Sequence, residues 1–300
     1  MIHIITDIIR KHPDWLRSPH SPLSFMKTST PFSGTRADQS KVLLFVFEEG
    51  EMWPTLCVKT IRTYASREVI RRNYTNLKLL EEGVRGSEYA QMFATPLYLY
   101  DDGEVIFCVE SVCPGATFST QACEIEIVIN NYSEWQSYLA HNVNKFWYQK
   151  EINVFVQDLI NSLELPEVST RLLKDYYQKF PFHSDTKLPV LIQHGDMTPD
   201  NVIVSGDDIY LIDYDCVGTN MLPGFDLLNF ILKSKYQADP IHPVCEHYLS
   251  AYFENIGAIT GSLDSFLFVY HLQETKRKKP TGQGSNADEI IRGFEILLER

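Results

Sequence analysis

Eight consecutive residues, His194-Gly195-Asp196-Met197-Thr198-Pro199-Asp200-Asn201, constrain this 300-residue chain more than any other stretch. They lead into Val202-Ile203-Val204, the polar turn Ser205-Gly206-Asp207-Asp208, and Ile209-Tyr210-Leu211, after which comes Ile212-Asp213-Tyr214-Asp215. Two short apolar runs around a glycine-containing turn predict a β-hairpin. Such a hairpin would bring Asp196, Asn201 and Asp213 to one end of a small sheet. Asp, Asn and Asp converging there form a hard, oxygen-rich site. It suits Mg²⁺, which takes few protein ligands and completes its shell with water and phosphate oxygens. One carboxylate is left to accept a proton from a hydroxyl, so the groups that phosphoryl transfer uses are present. Two ordinary readings compete. Asp and Asn are common in surface turns for local reasons, but here apolar β runs flank the acids. A metal-dependent hydrolase could use similar acids, but would not account for the upstream half of the chain.

His194-Gly195-Asp196 with Asn201, followed by Ile212-Asp213-Tyr214-Asp215, resembles the catalytic core of the aminoglycoside phosphotransferase and choline kinase superfamily, relatives of the protein kinases. The resemblance implies an α+β, bilobal protein-kinase-like fold. Residues 1–110 would form a β-rich N-lobe, 111–116 a hinge and 117–300 a mainly helical C-lobe. It implies ATP as co-substrate and Mg²⁺ as cofactor. It implies Asp196 as the catalytic base toward a small-molecule hydroxyl, and Asn201 and Asp213 as the metal ligands. Asp215 either joins the metal site or orients Asp213, and His194 braces the loop. The acceptor stays open among aminoglycoside-, choline- and sugar-like molecules.

Strand-like runs at 23–28, 41–47 and 55–61, a helix over 67–82 ended by Gly83, and a hairpin of 97–100 with 105–110 follow the order of a kinase N-lobe. Lys59 ends the apolar run Leu56-Cys57-Val58. A lone strand lysine most often faces water. This one precedes a helix and a hinge-like segment, which favours contact with ATP phosphates. The resemblance expects a Glu on the following helix to pair with it, but Arg72-Asn73-Tyr74-Thr75-Asn76-Leu77 puts Asn73 there. Glu68 is the alternative in a different register. The phosphate loop has no GxGxxG. Ser33, Gly34 and Thr35 are small residues whose backbone N–H groups could approach phosphate. Glu110-Ser111-Val112-Cys113-Pro114-Gly115 ends a strand. The resemblance makes it the hinge, with the backbone of Glu110 and Val112 toward adenine; an ordinary strand-ending turn is the alternative.

Helices are predicted over 147–163, 169–180, 225–235, 244–256, 263–276 and 286–300, the last with capping-box spacing at Ser285 and Asp288. Asp226 reads equally as support for the catalytic loop or as a helix N-cap. The basic run Lys276-Arg277-Lys278-Lys279 reads first as a solvated helix end complementing the macrodipole, with a grip on an anionic substrate as the alternative.

The net charge of −12, from 39 acidic and 27 basic residues, argues against nucleic acid as a partner and leans slightly toward a cationic or neutral acceptor. Six cysteines without a CxxC pair argue against zinc and fit a reducing, cytoplasmic setting. The apolar run 42–47 is too short to span a bilayer. The first fifteen residues, broken by Asp7, Arg10 and Lys11, lack a signal-peptide layout, so no membrane partner is expected. Two further functions remain. Asn73 could mark a pseudokinase-like binding module without catalysis. Transfer to a protein side chain is disfavoured by the short Asp215-to-Asp226 interval, which leaves little room for a peptide-binding loop.

Overall fold

Period-two alternation builds the first sheet. In the computed structural model, which describes residues 1–29, 41–61, 67–118, 122–218, 221–234, 241–259, 262–278 and 287–299, strand β2 (Lys41–Glu48) buries every second residue. Its neighbours are β1 (Leu23–Ser29), β3 (Leu56–Ile61), β4 (Pro96–Asp101) and β5 (Ile106–Ser111), in the antiparallel order β1-β2-β3-β5-β4. One face packs Val42, Leu44, Val46, Leu56, Val58, Phe107 and Val109 against Ile5, Ile8 and Ile9 of helix α1 (Ile2–Lys11). The opposite face carries Ile106 and Cys108 against Ile70 of helix α2 (Arg67–Val84).

The chain divides into two compact units. The first holds Met1–Ala116 and Ile203–Val217; the second holds Thr117–Val202 and Gly218–Arg300. The hairpin after Asn201 forms as the sequence predicts, with β9 (Val202–Ser205) and β10 (Asp208–Leu211). A two-residue strand β6 (Ala116–Thr117) joins β9 to complete a three-stranded sheet. Gly115 makes this possible: at φ +119°, a Cβ there would lie 2.5 Å from the Val204 carbonyl oxygen.

The second unit is mainly helical. Helix α3 (Ala122–His141) packs on α6 (Phe225–Lys233) and α7 (Ile241–Asn255). Helix α8 (Leu263–Lys278) packs on α6, α7, α9 (Ala287–Glu299) and α4 (Gln149–Asn161), while α5 (Glu167–Tyr177) packs on α4 and α9. Tyr176, Tyr177, Phe180, Phe268 and Phe294 form an aromatic cluster at this junction.

The sequence reading did not include α3. Glu124-Ile125-Glu126-Ile127-Val128-Ile129 alternates polar and β-branched residues like a strand. The buried set Ile125, Val128, Ile129, Tyr132 and Trp135 instead follows helical spacing. Nor did the predicted helix 147–163 begin where expected. Trp147 and Tyr148 belong to β7 (Phe146–Tyr148), paired with β8 (Lys187–Pro189), and Glu151 accepts the Tyr148 N–H to start α4 at Gln149. Helix α2 runs past Gly83, because Val84 extends the buried row of Leu77 and Leu80.

Candidate active site

Sheet parity places the first group of residues. Lys41 pairs with Ile61, Leu43 with Lys59, Lys59 with Cys108, and Cys57 with Glu110. Paired residues share a face, so Lys41, Lys59 and Glu110 all stand on the face covered by α2. Lys59 is 5% exposed, and its Nζ lies 2.7 Å from Glu110 Oε1 and 3.3 Å from Asn73 Oδ1. Burial alone would drive its proton off. The Glu110 carboxylate, joined by Asp213 and neighbouring groups, outweighs that, so Lys59 is held cationic well above the ordinary lysine value.

The acidic partner of Lys59 is therefore on β5 rather than on α2. Asn73, fully buried, bridges the pair: its Nδ2 donates to Glu110 Oε2 at 3.4 Å. Glu68 is turned outward and pairs with Arg71. A glutamate at position 73 would crowd a second carboxylate against Glu110, which is a physical reason for the amide there.

Asp213 and Asp215 belong to the same unit. Tyr214 anchors them from within: it is fully buried, its hydroxyl donates to the Leu211 carbonyl at 2.6 Å, and its own carbonyl accepts from Asn76 Nδ2 at 2.7 Å. Asp213 is held at φ +68°, a left-handed conformation that non-glycine residues adopt at a cost and that recurs at functional sites. Both carboxylates converge on one cation, the Lys41 ammonium: Asp213 Oδ1 accepts from it, and Asp215 Oδ2 lies 2.7 Å from it. Asp215 Oδ1 is buried without a hydrogen-bond partner. Burial, reinforced by Asp213, raises the Asp215 carboxyl against the pull of Lys41. Two oxygen ligands gathered on a point charge, one with an unsatisfied buried oxygen, fit a hard cation such as Mg²⁺. Among the described residues no set of three His, Cys, Asp or Glu side chains is placed to hold a metal by itself. Mg²⁺ differs from zinc here, since it draws most of its shell from water and phosphate.

The second unit carries the loop 194–201. Gly195 turns it at φ +78°, and Asp226 pins it. The Asp226 carboxylate is fully buried and accepts the backbone N–H of His194 at 2.7 Å, the N–H of Gly195 at 2.9 Å and the Tyr132 hydroxyl at 3.0 Å. It does not cap α6; Gly224 occupies that position. Burial raises the Asp226 carboxyl, while His194 and the two amides oppose it. One turn along α6, Asn229 donates to the Met197 carbonyl at 3.0 Å. The loop is thus held at its start and its middle by one helix face. Within it, Asn201 Nδ2 donates to the Asp196 carbonyl at 2.8 Å, which leaves Asn201 Oδ1 as the atom suited to a cation. Asp196 Oδ1 accepts from Arg277 of α8.

The structure gathers Lys59, Glu110, Asp213 and Asp215 in the first unit and His194, Asp196, Asn201 and Asp226 in the second. Val112 follows β5 in open chain and is half-buried. Ser33, Gly34 and Thr35 lie outside the described residues. Sequence reasoning missed Lys41 and Asn229. Asn229 stands three residues after Asp226, a helical spacing that could have flagged it. Lys41 carried no signal beyond its place on a strand.

No protein-family profile and no curated protein sequence matches the chain. Solved structures do. A thermostable mutant of aminoglycoside phosphotransferase APH(4)-Ia, in ternary complex with ADP and hygromycin B, superposes with TM-score 0.54 at 11% identity, over 92% of this chain and 93% of that one. The aminoglycoside-3'-phosphotransferase of type VIII gives TM-score 0.52 at 16% identity, over 84% and 93%. The macrolide 2'-phosphotransferase MphH from Brachybacterium faecium, as apoenzyme, gives 0.51 at 11% identity, over 96% and 95%. At these identities the likeness establishes the fold, which is the α+β, bilobal protein-kinase-like fold of these enzymes.

Proposed function

We propose that this protein is an ATP- and Mg²⁺-dependent phosphotransferase acting on a hydroxyl of a small molecule. The observation that carries the reading is the buried Lys59–Glu110 pair, with Asp213 in a strained left-handed conformation in the same unit. A surface turn needs no buried cation and no strained aspartate. Binding of a metal–triphosphate needs both charges. The solved structures that share the fold are phosphotransferases, one of them holding ADP and hygromycin B, and this supports the same reaction class.

In this reading Lys59 steadies the α and β phosphates, and the backbone of Glu110 and Val112 meets adenine. Asn201 and Asp213 would hold Mg²⁺, with Asp215 beside them. When bound, the metal would neutralise charge on the β and γ oxygens. Asp196 orients the acceptor hydroxyl and takes its proton as the oxygen–phosphorus bond forms and ADP leaves. Catalysis is then mainly positioning and electrostatics. A binding module without catalysis was suggested by Asn73. Glu110 now supplies the charge whose absence motivated that idea.

The test is a thermal-shift titration with ATP, with and without Mg²⁺, paired with ADP release across a panel of hydroxyl acceptors. The expected result is a Mg²⁺-dependent shift that Asp213→Ala loses. Asp196→Asn should keep the shift and lose transfer. Wild-type protein that shows no response to MgATP rejects the proposal.

A further inference from the structure

Among the described residues of the second unit, four charged side chains form one network. Glu274, 4% exposed, is its anchor. Its Oε1 lies 2.9 Å from Arg277 Nε, and its Oε2 lies 3.2 Å from Arg277 Nη2 and 3.3 Å from Lys233 Nζ. Arg277 thereby commits one edge of its guanidinium to Glu274 and turns Nη1 to Asp196. The tips stay accessible: side-chain exposure is 28% for Arg277, 26% for Lys233 and 29% for Asp196. Burial, with Arg277 nearby, lowers the Lys233 ammonium, although Glu274 and Asp196 favour its charge.

Among the described residues the network sets two cations, Arg277 and Lys233, against the carboxylates of Asp196 and Glu274. In the reaction proposed above, Asp196 turns to the acceptor hydroxyl and takes its proton, so the negative charge it presents to Arg277 is withdrawn. A cationic acceptor would meet like charge at this point. An anionic acceptor would be drawn to the exposed tips of Arg277 and Lys233, and the guanidinium fork matches a carboxylate or phosphate in two parallel hydrogen bonds.

Resting on the phosphotransferase reading, we infer that the acceptor carries a carboxylate or phosphate beside its reacting hydroxyl, and that Arg277, supported by Lys233, binds that group. This runs against the cationic acceptor that overall charge suggests, because Arg277 contacts Asp196 directly and Lys233 lies in the same network.

The experiment uses four small probes with a hydroxyl: glycerate, glycerol phosphate, glycerol and ethanolamine. Each is titrated by calorimetry at fixed ionic strength, with MgATP titrated separately. Glycerate, glycerol phosphate or both should bind wild-type protein more tightly than glycerol or ethanolamine. Which anion binds distinguishes a carboxylate from a phosphate acceptor. Arg277→Gln should weaken anion binding by at least about tenfold and leave MgATP affinity within about twofold, too small to be a lost charge-assisted bond. Lys233→Met should weaken it less, and carries the test if Arg277→Gln does not fold. Equal or tighter binding of ethanolamine or glycerol overturns the inference. So do anion affinities that neither variant lowers, absence of anion binding, and a parallel loss of MgATP affinity in Arg277→Gln, which would assign Arg277 to the nucleotide. Failure of the phosphotransferase reading looks different: wild-type protein would bind no MgATP, whatever the anions do.

Discussion

The residue that departs most from its expected type, Asn73, is explained by a neighbour far away in sequence. Lys59 needs a counter-charge to stay buried, and β5 provides Glu110. Breaking such a pair leaves an uncompensated buried charge, so Glu110→Gln should cost about 3 kcal/mol of stability. Adding Asn73→Glu returns a carboxylate from α2 and should recover most of that loss. A double-mutant cycle by urea denaturation measures the coupling, and strict additivity would reject the exchange of roles. Asp226 gives a second test at this scale. Asp226→Ala strands two buried backbone N–H groups of the 194–201 loop, at about 1–3 kcal/mol each. The loss should appear as a lowered denaturation midpoint together with loss of transfer. Asp226 was legible as a residue of interest, but its two roles were equal until the amides it receives were located.

At the scale of elements, strands were easier to read than helices. Lys41 to Glu48 alternates cleanly, whereas α3 hides behind a β-branched alternation that only packing overrules. Glu48 ends β2 and ties the segment after α1 to the sheet. It accepts from the Arg17 and Ser18 amides and from the Thr55 hydroxyl. Burial would raise its carboxyl, but the Thr55 hydroxyl and the two amides outweigh it, and it titrates below the ordinary value of 4.5. A depressed folded-state pKa contributes stability that is present above about 4.5 and lost as pH falls through the folded value. Glu48→Gln should therefore lower stability by about 1–3 kcal/mol at neutral pH and flatten the stability–pH curve below 4.5. Acid titrations of both proteins followed by circular dichroism check this. Gly115→Ala should be costly for a different reason, the clash with Val204 at positive φ. Backbone strain alone accounts for about 1–3 kcal/mol, readable as a drop in melting temperature.

At the scale of the whole molecule, the first compact unit is not a contiguous stretch. It takes in Ile203–Val217 after a long excursion of the chain, and Tyr214 from that piece is fully buried among Leu211, Ala94 and Asn76. A fragment of residues 1–116 should therefore lack cooperative unfolding. Joining residues 203–217 to it through a flexible linker should restore a sigmoidal thermal transition. A fragment that already unfolds cooperatively without the hairpin would show that Tyr214 is dispensable to that core. Among the described residues no helix is long and apolar enough to cross a membrane.

By itself, the sequence determined the hairpin and the order of strands and helix before residue 111. Both rest on local signals: turn residues and side-chain period. Only the tertiary structure decided that Glu110 neutralises Lys59, that Lys41 stands between Asp213 and Asp215, that Asp226 holds two amides and that Arg277 turns toward Asp196. Each of these pairs residues from separate elements. Their energies come from burial and from charges brought within a few ångströms, and neither quantity is encoded by position along the chain.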